Sequence, residues 1–197
     1  MEKILVLGDI HGRTCWADII KKENPDKVIL LRGNHDDQHL GYSWAECSGY
    51  FDEVGKYMES IKDRFLTDTQ WVYVEGNIIF SHAGISKTWF NNFDFKDINL
   101  LNNCEPSEKF AFTPNSFYDY YGNSITQPCV WIRPQVLVTD ALDGYIQVVG
   151  HTPVKKITNL KSVKDEWPEI WLCDCLPDEY LVIENNEFII KKCNESS

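Results

Sequence analysis

Apolar residues in this chain gather in short unbroken runs, and most of those runs stop at or near a glycine. Ile4 to Leu7 is followed by Gly8 and Val28 to Leu31 by Gly33, and Tyr145 to Val149, interrupted only by Gln147, is followed by Gly150. Runs of four or five apolar residues without alternation predict strands buried on both faces, as in parallel sheets covered by helices. Between the first two runs, Trp16, Ile19 and Ile20 fall at i, i+3 and i+4. That stripe predicts a helix over 13–23, stopped by Asn24-Pro25-Asp26, with the next strand at 27–32. Phe51, Val54, Met58, Ile61 and Phe65 keep helical spacing and predict one amphipathic helix over 51–65. Trp71–Val74 and Asn77–Phe80 flank Glu75-Gly76 and predict a hairpin. Ile170–Cys173, Tyr180–Ile183 and Phe188–Ile190 predict a terminal β-meander. The stretch 85–128 interleaves aromatics with Asn and Asp and reads equally as an insertion on a cleft rim or as a second core. Strands alternating with helices make this an α/β chain.

The polar residues just past these runs are of one chemical kind. Asp9 and His11 follow the first strand, and Asn34-His35-Asp36-Asp37 follows the second. Ser81-His82 ends the second arm of the hairpin, and His151 follows Gly150. Open α/β sheets build their sites from loops at the carboxyl ends of strands. Four of the five histidines stand at such ends; the fifth, His39, matches none and reads as a surface residue. Carboxylate and amide oxygens together with imidazole nitrogens suit a divalent transition metal.

Composition narrows the picture. At 197 residues, with no linker, repeat or low-complexity tract, residues 1–197 read as one domain. A formal charge of −11 excludes general nucleic-acid binding, which needs a basic face. It does not exclude a phosphorylated ligand held through a metal, because the metal brings its own positive charge. Met1-Glu2-Lys3 begins no signal-peptide pattern and no apolar run approaches 18 residues, which predicts a cytoplasmic protein that does not engage a membrane. Seven cysteines without C-x-x-C spacing read as reduced thiols, with Cys173 and Cys175 on the same side of a strand.

Gly8-Asp9-Ile10-His11-Gly12, Gly33-Asn34-His35-Asp36, Ser81-His82-Ala83-Gly84 and Gly150-His151-Thr152-Pro153, in that order, resemble the motifs of the calcineurin-like metallophosphoesterases. The resemblance runs from Ile4 to about Ile190 and leans towards the compact phage-lambda-type protein phosphatases. It implies a four-layer β-sandwich of two mixed sheets flanked by helices. It also implies two divalent metal ions, Mn2+ by preference with Fe, Zn or Ni acceptable, which hold phosphate oxygens and acidify a bound water. By position, Asp9 and His11 would hold the first metal, and Asn34, His82 and His151 the second. His35 would be the general acid, and Arg133, in Trp131-Ile132-Arg133, the phosphate-binding arginine. The implied substrate is a phosphomonoester, either a phosphorylated small molecule or a phosphoprotein.

The chain departs from this family pattern at one place. Only 21 residues separate His11 from Gly33, and none of them form the expected Gly-Asp-x-x-Asp-Arg-Gly motif, whose first aspartate bridges the metals. A strand–loop–helix unit of roughly 30 residues is missing by that count. The helix and strand that remain still make a permitted crossover between parallel strands. The expectation is therefore a phosphatase with a weakened metal site, and the alternative is a disabled or deleted member that binds a phosphorylated ligand or a partner protein. Asp36 and Asp37 are the nearby carboxylates that could replace the absent ones.

Overall fold

The structure is a computed structural model describing residues 3–7, 15–41, 51–94, 96–104, 119–176 and 178–193. Asp9 and His11 therefore lie outside the described residues, as does the Trp16 side chain. Two mixed sheets form the framework, as expected. The first holds β1 (Lys3–Leu7), β2 (Lys27–Leu30), β8 (Glu179–Glu184) and β9 (Glu187–Lys192) in the order β2-β1-β8-β9. The second holds β3 (Val72–Glu75), β4 (Ile78–Ser81), β5 (Ile146–Val149), β6 (Thr158–Asn159) and β7 (Ile170–Leu172) in the order β3-β4-β5-β7-β6.

The strand period of two sets the layers. Ile4 and Val6 of β1 face one way, joining Ile29, Phe80, Val148 and Leu181 in a core between the sheets. Leu5 and Leu7 face the other way and pack with Ile19 of α1 (Cys15–Glu23). In β4, Ile78 and Phe80 point into the inter-sheet core. Ile79 points outward to Trp89 of α5 (Lys87–Phe90) and to Leu101 in the 3-10 turn Ile98–Asn103. Val149 packs against Leu137 of α6 (Pro134–Asp140). Helix, sheet, sheet and outer helical layer follow in that sequence. The aromatic stretch thus supplies a second core with Trp89 and Phe90, while residues 105–118 lie outside the described part.

β1 and β2 pair directly in parallel, Ile4 opposite Lys27 through Leu7 opposite Leu30, with α1 as the crossover. The far edge of β2 is met near its end by Gln70, whose carbonyl accepts from Arg32 N at 2.9 Å and whose N–H donates to Leu30 O at 3.1 Å.

Three local expectations are corrected. The helix expected over 51–65 is two, α3 (Asp52–Ser60) and α4 (Lys62–Asp68), because Ile61 leaves helical geometry at φ −116° and closes on Met58 O. Phe51, placed on its apolar face, is 64% exposed. The polar loop after β2 winds into a short helix, α2 (Asn34–His39), started by Asp36, whose carboxylate accepts from Gly33 N at 3.0 Å. The terminal β-meander is divided between sheets: β7 runs parallel to β5, whereas β8 and β9 form a hairpin on β1. Its turn residues Asn185 and Asn186 both have positive φ, which suits a tight two-residue hairpin turn.

Candidate active site

Register brings the two buried histidines together. β4 and β5 run parallel with Ser81 opposite Val149, so both strands end at the same level. Gly150 N then donates to His82 O at 2.8 Å, and the residues that follow converge. His82 Nε2 lies 3.1 Å from His151 Nδ1, and the rings tilt at 57° with centroids 4.9 Å apart. His151 sits at φ +60°, a left-handed conformation unusual for a non-glycine residue.

The third member arrives from the other sheet. Asn34 opens α2 at the carboxyl end of β2, and its Oδ1 lies 2.7 Å from His82 Nε2. Asn34, His82 and His151 are 2%, 0% and 6% exposed. Polar groups buried so deeply must satisfy one another or a ligand. Gly33 makes the approach possible: a Cβ there would stand 2.2 Å from His82 Cε1 and 2.3 Å from its Nδ1. The imidazole thus lies directly against the glycine backbone.

Arg133, which precedes Pro134 at the start of α6, reaches the same corner. Its Nη1 donates to His151 O at 3.1 Å and to Thr152 Oγ1 at 3.2 Å. The Trp131 ring, nearly buried, has its centroid 5.7 Å from that of His151. His35 follows Asn34 on α2 and is half-buried. His39 is not simply a surface residue: its Nδ1 is 2.8 Å from His35 O, and its Nε2 accepts from Phe51 N at 3.3 Å.

The two carboxylates that follow Asn34 and His35 on α2 have structural tasks. Asp36 starts α2, as above. Asp37, fully buried, pairs with Arg32 Nε at 2.5 Å, and the Arg32 guanidinium lies 4.0 Å over the Trp71 ring. Sequence reading missed two neighbours of the site, Trp131 and Thr152, and one buried acid, Asp174. Asp174 is a buried acid two residues past β7, the strand beside β5. In the sequence it stands just past the apolar run Ile170–Cys173, flanked by Cys173 and Cys175. Those two thiols share the inter-sheet core, and desolvation pushes both above the usual thiol range, so they are inert.

An amide oxygen 2.7 Å and an imidazole nitrogen 3.1 Å from a second imidazole nitrogen make a donor set that suits a borderline divalent cation. Among the described residues no group of three His, Cys, Asp or Glu side chains forms an alternative cluster. Two mixed sheets flanked by helices, with nitrogen and oxygen donors converging where strands of both terminate, match a metallophosphoesterase-type fold. The family model of the calcineurin-like phosphoesterases matches residues 2–159, and the chain belongs to that family. No curated protein sequence matches it. Among solved structures it is similar to the cold-active protein-tyrosine phosphatase of a psychrophile, Shewanella sp. That match has a TM-score of 0.62 and 15% identity, covering 100% of this chain and 79% of the other. It is also similar to a metallophosphoesterase from Sphaerobacter thermophilus, with a TM-score of 0.51 and 12% identity, covering 97% and 87%. At these identities the likeness is one of fold.

Proposed function

We propose that the chain is a metal-dependent phosphatase hydrolysing phosphomonoesters, of a phosphorylated small molecule or a phosphoprotein. One observation carries the reading: Asn34 Oδ1, His82 Nε2 and His151 Nδ1 converge at strand ends of both sheets in a member of a phosphoesterase family. A divalent cation, Mn2+ by preference with Fe, Zn or Ni acceptable, supplies when bound the positive charge that neutralises phosphate oxygens and acidifies water. Asn34, His82 and His151 hold it, and Asp9 with His11 hold a companion. His35 donates the proton that the departing ester oxygen needs. Arg133, anchored at the His151 carbonyl by one guanidinium nitrogen, binds a phosphate oxygen.

The motifs lean towards the compact phage-lambda-type branch. Without the Gly-Asp-x-x-Asp motif, and with Asp36 and Asp37 committed to α2 and Arg32, the Asp9–His11 position is the weaker of the two. The test is metal stoichiometry on reconstituted protein together with p-nitrophenyl phosphate turnover, wild type against His35→Ala. Bound metal with His35-dependent turnover is expected. Metal-free protein, or turnover no higher than in His35→Ala, would turn the assignment to a disabled member that binds a phosphorylated ligand or a partner protein.

A further inference from the structure

Tyr120 and Tyr121 stand apart from the other described aromatics of the 85–128 stretch. They are 62% and 69% exposed, with their rings edge to face at 5.4 Å. Exposed tyrosines alone mean little; what distinguishes these is how firmly their loop is fastened, and to what. The Asp119 carboxylate accepts from Tyr121 N at 2.9 Å and from Asn123 N at 3.0 Å. The Asp119 carbonyl accepts from the Trp131 indole at 2.8 Å, and Gly122 O accepts from Arg133 N at 3.0 Å. Gly122 has φ +69°, and a side chain there would meet the Trp131 carbonyl at 2.4 Å, so the loop lies flat on that segment.

Both fastening residues also touch the site. Trp131 packs beside the His151 ring, and Arg133 hydrogen-bonds its carbonyl. The loop that carries the tyrosine pair therefore rests on the two residues that contact His151, with Gly122 against the Arg133 side chain. Building on the phosphoesterase reading, we propose that Tyr120 and Tyr121 form a leaving-group platform, and that the preferred substrates are aryl phosphates. In an aryl phosphate the ring is bonded directly to the ester oxygen, so phosphate held at Arg133 brings the ring towards the loop fastened on that residue. An aromatic ring gains stacking or edge-to-face contact there, and an alkyl group does not. The hydrogen bonds that hold the loop keep the platform formed before substrate arrives, which limits the ordering cost of binding.

The test compares wild type with Tyr120→Ala/Tyr121→Ala and with Tyr120→Phe/Tyr121→Phe. Turnover is measured on phenyl phosphate, glycerol 2-phosphate and a nucleoside 5′-monophosphate, and binding on phenylphosphonate and methylphosphonate. The alanine pair is expected to raise KM for phenyl phosphate, and Kd for phenylphosphonate, about tenfold with kcat unchanged, as loss of one stacking contact predicts. Glycerol 2-phosphate and methylphosphonate should change by less than about twofold on the same reasoning, and the phenylalanine pair should keep wild-type values. Equal losses on phenyl and glycerol esters, no loss on either, or a larger loss on the nucleotide would overturn the platform. Wild-type protein that hydrolyses nothing yet prefers phenylphosphonate through these tyrosines would refute the phosphatase assignment and leave the platform standing.

Discussion

Adding one methyl group at Gly33 should disable the site without unfolding the protein. Gly33 has φ −125° and ψ −177°, extended backbone that alanine adopts readily, so Gly33→Ala meets no backbone strain. Its Cβ, however, would stand 2.2 Å from His82 Cε1. Carbon atoms rest at about 3.5 Å or more, so the imidazole must retreat by about 1 Å. His82 Nε2 now lies 2.7 Å from Asn34 Oδ1, and a retreat of that size takes the pair beyond hydrogen-bond range. Losing the contact costs about 1 kcal/mol, partly offset by the smaller unfolded-state entropy of alanine. A displacement of about 1 Å in a positioned group can lower turnover about 100-fold. Isothermal titration of Mn2+ or Zn2+ into metal-free protein, beside p-nitrophenyl phosphate kinetics and a thermal melt, reads all three. A near-native melt with metal affinity and turnover each reduced at least tenfold is the expected result. A folded Gly33→Ala protein with wild-type metal affinity would refute the reasoning, because His82 would then not be the donor that this glycine positions.

Three further outcomes follow from side chains already described. Glu23 Oε2 receives Lys3 at 2.7 Å and Lys191 at 2.6 Å, and Oε1 receives Tyr180. Burial alone would raise its pKa, but hydrogen bonds from Lys191, Lys3 and Tyr180 outweigh that and hold it near 2, below the ordinary 4.5. The stabilisation is complete above about pH 5 and is lost as pH falls through 2. Glu23→Gln should therefore lose about 3 kcal/mol at neutral pH and show a flatter acid limb, measured by urea melts at pH 7 and pH 3. Gln147 is fully buried and satisfies both Ile85 N, at 2.8 Å, and Ile85 O, at 2.9 Å. Gln147→Leu should destabilise by about 3 kcal/mol through two orphaned backbone groups, and a urea midpoint equal to wild type would contradict this. Arg133→Lys keeps the charge but loses the planar fork; inhibition by inorganic phosphate should weaken about tenfold, and unchanged inhibition would remove Arg133 from the phosphate site.

The sheets and their polar ends were legible because fully buried strands write themselves as unbroken apolar runs. Ile4–Leu7 needed no other signal, Ile146–Val149 was legible despite the polar Gln147 within it, and the histidines were visible as interruptions just beyond such runs. Partner choice was not legible. Ile170–Leu172 and Tyr180–Ile183 look alike in sequence, yet one pairs with β5 and the other with β1, a decision made by inter-sheet packing. The break at Ile61 was hidden because the apolar spacing continues across it. Tyr120 and Tyr121 were indistinguishable from Trp89 or Phe90, since composition cannot say which aromatics find a core. The Asn34–His82 distance depends on two sheets meeting, so the sequence could offer the residues but not their convergence.

Asn34 belongs to the end of a strand in the first sheet, while His82 and His151 end strands of the second. An ion shared by all three would be a rivet through both sheets, and its binding energy would resist their sliding over the core that contains Ile29, Phe80 and Val148. Metal at one hundred times its dissociation constant adds about 2.7 kcal/mol to a folded state that alone binds it. The cation would then be a structural fastener as well as a reagent, and loosening the inter-sheet core by a cavity far from the chemistry should weaken its retention.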